Sequence, residues 1–192
     1  DVENTGGSIG SDQLEMNAPG RVLSLLDDHF VNNQLLLTAG HIQIQNANLS
    51  LIGSASVTGG GLSSYVRTNG TGMFRYASLG NATRFYPIGS SGHYFPLQIS
   101  NGGTPDNIGA RVQDDVLSGG LSGSSVNGAV NATWVLDEGT AGGSDLSIST
   151  SWNGSDEKPS FNRAASYLQG FSGSWTNMAG PVAATGTNPY SA

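Results

Sequence analysis

Acidic side chains stand in adjacent pairs at several points of the chain, and carboxylate oxygens are among the ligands that Ca²⁺ prefers. The pairs are Asp27–Asp28, Asp114–Asp115, Asp137–Glu138 and Asp156–Glu157. Asp137 and Asp145 flank a glycine-rich loop whose backbone carbonyls would add further oxygen ligands. The pairs lack the spacing of an EF-hand, and solvated turn residues are the alternative interpretation. The sequence therefore indicates no cofactor beyond calcium, with Asp137 and Asp145 as its predicted metal ligands.

Residues suited to other chemistries are few and scattered. The chain contains 14 acidic residues, three histidines and no cysteine. Without cysteine there is no thiolate nucleophile, zinc–cysteine site or iron–sulfur cluster. The histidines, His29, His41 and His93, lack the spacing of metal ligands. We therefore predict no catalytic residues and no enzymatic activity.

Tryptophan provides one candidate for ligand binding. An exposed aromatic ring can stack on the apolar C–H face of a sugar. Trp134 and Trp152 lie on alternating strand patterns that predict burial, whereas Trp175 lies in a Gly- and Ser-rich hairpin. Trp175 is therefore the predicted stacking residue, with packing in a core as the alternative for all three rings.

Asparagine occurs in five Asn-x-Ser/Thr sequons, the acceptor pattern for N-linked glycans. Their asparagines are Asn48, Asn69, Asn81, Asn131 and Asn153. In a chain rich in Asn, Ser and Thr this pattern also arises by chance, so modification depends on the host.

Composition and charge narrow the class of partner. Charged residues make up 11% of the chain, against roughly 25% in ordinary domains. The formal net charge is −7, which argues against binding to nucleic acid through phosphate contacts. No apolar run approaches the roughly 20 residues of a membrane helix, so we expect no membrane insertion.

The clearest periodic pattern predicts a ladder of short strands over residues 21–60. Apolar pairs with a spacing of two residues recur every seven residues, at Leu35/Leu37, Ile42/Ile44 and Leu49/Leu51. A spacing of two places both side chains on one face of a strand. The ladder is either a meander or a β-solenoid, in which stacked coils bury a shared apolar stripe.

The segments on either side differ from this ladder. Residues 1–20 are polar, interrupted by Gly and Pro, and are predicted to form an N-terminal arm. Glycine-rich residues 59–64 mark a boundary, and short strands separated by turn signals follow. We therefore predict an all-β protein whose ladder is followed, over residues 61–192, by an antiparallel Greek-key β-sandwich.

Several blocks in the second half resemble a domain of secreted, modular cell-surface proteins of Bacteroidota, which are commonly exported by the type IX route. The blocks are SYVRTNGTGMFRY (64–76), RFYPIGSSGHYFPLQIS (84–100) and the stretch from Asn131 to Trp175. The resemblance implies an extracellular location, a surface, adhesive or scaffold role, and no catalytic residues. In that family a final hydrophobic strand usually follows the region equivalent to 186–190.

A sandwich without its last strand has an open edge, and open edges accept strands from other chains. The arm is the predicted donor, through Val2, Ile9, Leu14 and Met16. Head-to-tail donation that does not close into a ring produces a filament. The alternative is that the arm folds back on its own domain. We therefore expect an extracellular structural or adhesive protein that self-associates into a homopolymer, or else a module that binds carbohydrate or a cell surface.

Overall fold

The computed structural model describes residues 9–192, which form mostly β-strands. In chain order the strands are β1 (Ile9–Ser24), β2 (His29–Gln43), β3 (Leu49–Leu51), β4 (Ser56–Gly59), β5 (Val66–Arg67), β6 (Phe74–Leu79), β7 (Arg84–Tyr86), β8 (Ile88–Gly89), β9 (Leu97–Asn101), β10 (Asp106–Asp114), β11 (Ala132–Glu138), β12 (Leu146–Trp152), β13 (Ser166–Phe171), β14 (Trp175–Val182) and β15 (Tyr190–Ser191). Two single-turn 3₁₀ helices span Gly154–Asp156 and Arg163–Ala165. The predicted all-β class is confirmed.

The N-terminal strands stack as coils of a parallel β-solenoid. Ile9 pairs with His29 and His29 with Leu49, so on this face each of the first two coils takes twenty residues (9 to 29, 29 to 49). Leu49 then pairs with Phe74, a coil of twenty-five residues (49 to 74). Stacking of this kind confirms the solenoid alternative of the predicted ladder.

The seven-residue spacing of the apolar pairs corresponds to one face of a coil. Leu35 pairs with Val57 in β4, and Ile42 pairs with Val66 in β5. Leu49 pairs with Phe74 in β6, so successive pairs lie on three different faces. All six side chains of the predicted pairs are at most 2% exposed. They point into the solenoid because apolar burial is the main favourable term in folding.

The remaining strands enclose the other end of the same core. The order of the large sheet is β11-β10-β6-β3-β2-β5-β8, with β1 and β4 also paired to β2. A second sheet has the order β15-β12-β9-β7, and its pairings are antiparallel. The predicted region of antiparallel sheets is therefore present, but a separate Greek-key sandwich is not confirmed, since β6, β10 and β11 continue the sheet of the coils.

Strand pairing continues across the predicted boundary at residue 61. β2 pairs with β5, and β3 pairs with β6. Buried side chains from both sides of residue 61 form one hydrophobic cluster. Tyr86 lies within it and donates its hydroxyl to the Ile108 carbonyl at 3.1 Å, which links β7 to β10.

Outside this core, β13 and β14 form an exposed two-stranded hairpin. Its aromatic end contacts the loop before residue 121, where the Trp175 indole N–H donates to the Leu117 carbonyl at 2.8 Å. Between residues 9 and 192 we find no helix that is long and apolar enough to span a membrane.

Candidate functional site

In residues 9–192, two of the strands that end the large sheet, β1 and β11, present an open backbone edge, while the short strands β4 and β8 are also paired on one side only. In the described chain, β1 pairs only with β2 and β11 pairs only with β10. An unpaired edge presents N–H and C=O groups to which another strand can bind. The edges therefore form a candidate interaction site made of backbone.

The free groups of β11 follow from its register. The Gly139 N–H donates to the Asn107 carbonyl at 2.9 Å, and the Asp115 N–H donates to the Asn131 carbonyl at 3.1 Å. Odd-numbered residues of β11 therefore direct their hydrogen-bonding groups towards β10. Because these groups alternate along an antiparallel strand, those of even-numbered residues such as Leu136 point to the open edge.

The opposite edge belongs to the first coil. The Ile9 N–H donates to the Asp28 carbonyl at 3.1 Å, so by alternation the Gly10 N–H points away from β2. Gly10 is exposed, and a Cβ added to it would lie no closer than 4.0 Å to its nearest neighbour, Asn32 Nδ2. A small side chain at residue 10 is therefore accommodated without a clash.

Three of the four predicted donor residues lie in β1. Ile9 and Leu14 are half-buried, and Met16 is 5% exposed in the core. They pair with β2 of the same chain, so this part of the predicted arm forms the first coil. Val2 lies outside the described residues.

The two edges terminate one continuous row of strands. The row of paired residues is Ile9, His29, Leu49, Phe74, Ala110 and Leu136. The first four strands are mutually parallel, while β10 is antiparallel to β6 and to β11. Two reversals restore the direction, so β11 runs parallel to β1.

An arginine engages one of the predicted calcium ligands on the outer face of this row. Arg75 Nη2 lies 2.5 Å from Asp137 Oδ2. The pair forms across Gly109, where any side chain would meet the guanidinium at 3.0 Å. The positive charge of Arg75 therefore already neutralises the Asp137 carboxylate.

The second predicted calcium ligand lies elsewhere. Asp145 is exposed next to β12, and its backbone N–H donates to Asn101 Oδ1 at 2.9 Å. The described residues contain no group of three or more His, Asp or Glu side chains arranged to hold a metal ion. The structure does not bring Asp137 and Asp145 together with a third such ligand.

The histidines occupy three unrelated positions. His29 Nε2 lies 2.9 Å from Ser11 Oγ, and burial lowers the pKa of His29. His41 packs edge-on against Tyr65, and desolvation by burial, with Arg67 nearby, lowers the pKa of His41. His93 contacts Asp156. The three imidazoles therefore do not form one site.

The contact between His93 and Asp156 joins residues 63 positions apart. His93 Nδ1 lies 2.7 Å from Asp156 Oδ1, and the Asp156 side chain is 4% exposed. The second oxygen, Asp156 Oδ2, accepts from the Asn153 backbone N–H at 3.1 Å. The His93 ring stacks on Phe95 with an interplanar angle of 6°. A buried acceptor and an aromatic platform thus fix the orientation of this imidazole.

Trp175, the predicted stacking residue, is half-buried in the hairpin. Its ring packs edge-on against that of Phe171, with the centroids 5.3 Å apart, and its indole N–H donates to the Leu117 carbonyl. Trp152 is 2% exposed, and half-buried Trp134 donates its indole N–H to the Phe95 carbonyl at 3.0 Å.

The sequon asparagines differ in accessibility. Asn69 and Asn81 are exposed, while Asn131 is half-buried beside β11. The Asn153 amide lies 3.4 Å from Asp156 Oδ2. The Asn48 amide nitrogen donates to both carboxylate oxygens of Asp28, at 3.3 and 3.2 Å. A glycan on Asn48 would compete with this contact.

Sequence reasoning missed Gly10 and the pair of His93 and Asp156. Gly10 lies in a polar stretch of the sequence, and nothing there except the absence of a side chain indicated an exposed strand edge. Comparison with protein-family models, with curated proteins and with solved structures gave no match to this chain.

Proposed function

We propose that the protein is an extracellular structural surface protein whose copies assemble head to tail into a filament. The observation that carries the proposal is that, within residues 9–192, one row of six strands ends in β1 and β11, which each pair on one side only and run in the same direction. A translation along the row of strands then sets β1 of one copy beside β11 of the next.

Such a contact is heterologous, because the two surfaces that meet are different. Heterologous contacts that do not close into a ring extend into filaments. The row contains six strands, from β1 through β2, β3, β6 and β10 to β11. At a strand spacing of about 4.8 Å, this predicts an axial repeat of about 29 Å per copy.

The proposed contact replaces donation of a free arm with addition of an edge strand. Met16 is packed in the core of its own chain, so detaching β1 would expose apolar surface. Edge addition leaves this packing intact and satisfies backbone groups such as the Gly10 N–H and those of Leu136. Main-chain hydrogen bonds supply the affinity in contacts of this kind.

Composition supports the extracellular and adhesive part of the proposal. The chain has few charged residues and many glycines. The sequence blocks that resemble secreted modular surface proteins of Bacteroidota also support an extracellular location and a surface role. The net charge of −7 opposes association of copies at low ionic strength, so raised salt favours assembly.

The test compares Gly10→Pro with Gly10→Ala. Proline removes the outward N–H and introduces a ring at the open edge, whereas alanine keeps the N–H. The free space at this residue accommodates alanine. Sedimentation velocity at rising protein concentration, with electron microscopy of the same samples, measures assembly.

The expected result is that the unmodified chain and Gly10→Ala form filaments with a repeat near 29 Å, while Gly10→Pro stays monomeric with an unchanged circular dichroism spectrum. A monodisperse unmodified chain at high concentration and high salt would refute the proposal. Filaments of Gly10→Pro indistinguishable from those of the unmodified chain would show that β1 is not the assembling edge.

A further inference from the structure

A cleft of about 370 Å³ opens beside the pair formed by His93 and Asp156. Residues from separated parts of the chain line it: Leu62, Gly92, His93, Tyr94, Asn153, Ser155, Asp156 and Asn188. Small-molecule sites usually measure roughly 300 to 1,000 Å³. This volume is therefore suited to a small ligand.

The hydrogen-bonding capacity of His93 is defined by its contact with Asp156. A carboxylate only accepts hydrogen bonds, so the imidazole nitrogen that faces it, Nδ1, carries the hydrogen. In the neutral ring, Nε2 is then an acceptor. The imidazole side chain is 38% exposed, so the ring remains accessible to a ligand that donates.

The loop across the cleft is positioned by the same carboxylate. Asp156 accepts from the backbone N–H of Asn153, and the Gly154 N–H donates to Asn188 Oδ1 at 2.9 Å. Two side-chain amides therefore lie at the cleft with their orientations fixed by hydrogen bonds. Each amide has both donor and acceptor groups, as hydroxyl-bearing ligands require.

The lining excludes most charged ligands. No Lys or Arg side chain is among the residues that line the cleft in the described chain. The one carboxylate, that of Asp156, is 4% exposed and already accepts from His93 and Asn153. The nearby Arg163 guanidinium lies beside Gly154 and is already paired with Glu157, and the described residues offer a metal ion no set of three ligands.

Apolar surface completes the wall. Leu62 is 67% exposed, and the Tyr94 ring packs on Tyr65 with centroids 5.2 Å apart. Burial raises the pKa of Tyr94, so its hydroxyl stays protonated at ordinary pH. Neutral polar groups beside an exposed leucine and an aromatic ring match a molecule with hydroxyls around its rim and C–H groups on its faces.

From these observations we propose that the cleft binds a single neutral pyranose ring, with hydroxyls bonded to His93 and the amides of Asn153 and Asn188, and a C–H face against Leu62. Asp156 is a positioning residue that holds the imidazole. None of the residues that line the cleft belongs to β1 or β11, so sugar binding can be tested separately from filament assembly, although the Asp156 carbonyl accepts from the Asn131 N–H immediately before β11 at 2.7 Å.

The test uses the methyl pyranosides of glucose, galactose and mannose, with N-acetylglucosamine, as probes of the full chain. Saturation-transfer NMR detects binding, and amide chemical-shift titration gives affinity and location. His93→Ala removes the acceptor and is expected to weaken binding about tenfold, as loss of one hydrogen bond would. Leu62→Ala, at a side chain too exposed to support the fold, is expected to weaken it about fivefold.

Trp175→Ala is the matched control, because it removes an aromatic ring from the hairpin outside the cleft. It is expected to leave affinity unchanged. The proposal is overturned if no pyranoside binds at about 20 mM, well above a millimolar dissociation constant. It is also overturned if inorganic phosphate displaces the sugar, or if binding survives both cleft variants and is lost in Trp175→Ala.

Discussion

Replacing Asn48 with alanine is expected to destabilise the solenoid, because its side chain hydrogen-bonds to the coils on both sides. Asn48 lies at the corner that precedes Leu49, directly between the equivalent corners of the coils on either side. Its amide nitrogen donates to the Asp28 carboxylate of the preceding coil. Its carbonyl oxygen accepts from the Met73 backbone N–H of the next coil at 3.1 Å, and from Arg75 Nε at 3.4 Å. One side chain thus joins three coils.

The magnitude follows from the groups that the substitution leaves behind. A hydrogen bond to a charged group contributes about 1.5–3 kcal/mol, and a buried N–H left without a partner costs about 1–3 kcal/mol. Asn48 is half-buried, so the lower ends of both ranges apply and sum to about 2.5 kcal/mol. At 2–4 °C per kcal/mol for a chain of this size, the melting temperature should fall by about 5–10 °C.

Urea unfolding followed by tryptophan fluorescence, together with calorimetry, measures both quantities. Asn69→Ala is the matched control, because Asn69 is an exposed sequon asparagine and the same atoms are deleted. Its effect should stay within about 0.5 kcal/mol. Equal losses for Asn48→Ala and Asn69→Ala would refute the view that Asn48 connects the coils.

Two further predictions concern close packing and pH. A Cβ at Gly72 would lie 1.9 Å from the Ala47 carbonyl oxygen, so Gly72→Ala should cost more than about 3 kcal/mol in urea unfolding, whereas Gly61→Ala, with open space around it, should be nearly neutral. The hydrogen bond from Lys158 holds the pKa of Asp115 below its usual 3.8. A lowered carboxyl pKa stabilises the fold above the unfolded value and ceases to do so as pH falls through the folded value. Lys158→Gln should therefore lower the free energy of unfolding most at pH 7, and progressively less as the pH falls below 3.8 through the lowered pKa of Asp115. A loss of stability that stays constant across this acid range would contradict the role of Lys158.

The ladder of short strands was predictable because its signal is local. Leu35 and Leu37 repeat the spacing of Ile42 and Ile44, and each pair fills one face of a coil. The strand partners were not predictable, because they depend on coil length. The first coils take twenty residues and the next takes twenty-five, so no constant period connects Leu49 to Phe74.

The first coil was predicted to be an arm for a related physical reason. β1 has a neighbouring strand on one side only, so much of its surface faces solvent and its sequence is polar. Only Met16 is fully buried, and Pro19 and Gly20 interrupt the alternation that would indicate a strand. A polar composition therefore did not distinguish an end strand from a free segment.

The cleft could not be predicted from sequence spacing. His93 and Asp156 are separated by 63 positions and approach each other only because β9 and β12 are neighbours in the second sheet. Asp156 was recognised as half of an acidic pair, but its burial was invisible in a polar sequence. The signal for such sites lies in tertiary contacts.

The twenty-residue coil makes the length of this molecule adjustable in discrete steps. Residues 29–48 form one full turn, which pairs with the turn before it at offsets of 19 to 22 residues and with three register irregularities. Tandem duplication of that segment would insert a rung that carries its own apolar residues, with bulges to absorb the differences in register, and would lengthen the body by about 4.8 Å. Because no new core has to be designed, a protein of this kind can be used as a molecular ruler graduated in single strand spacings.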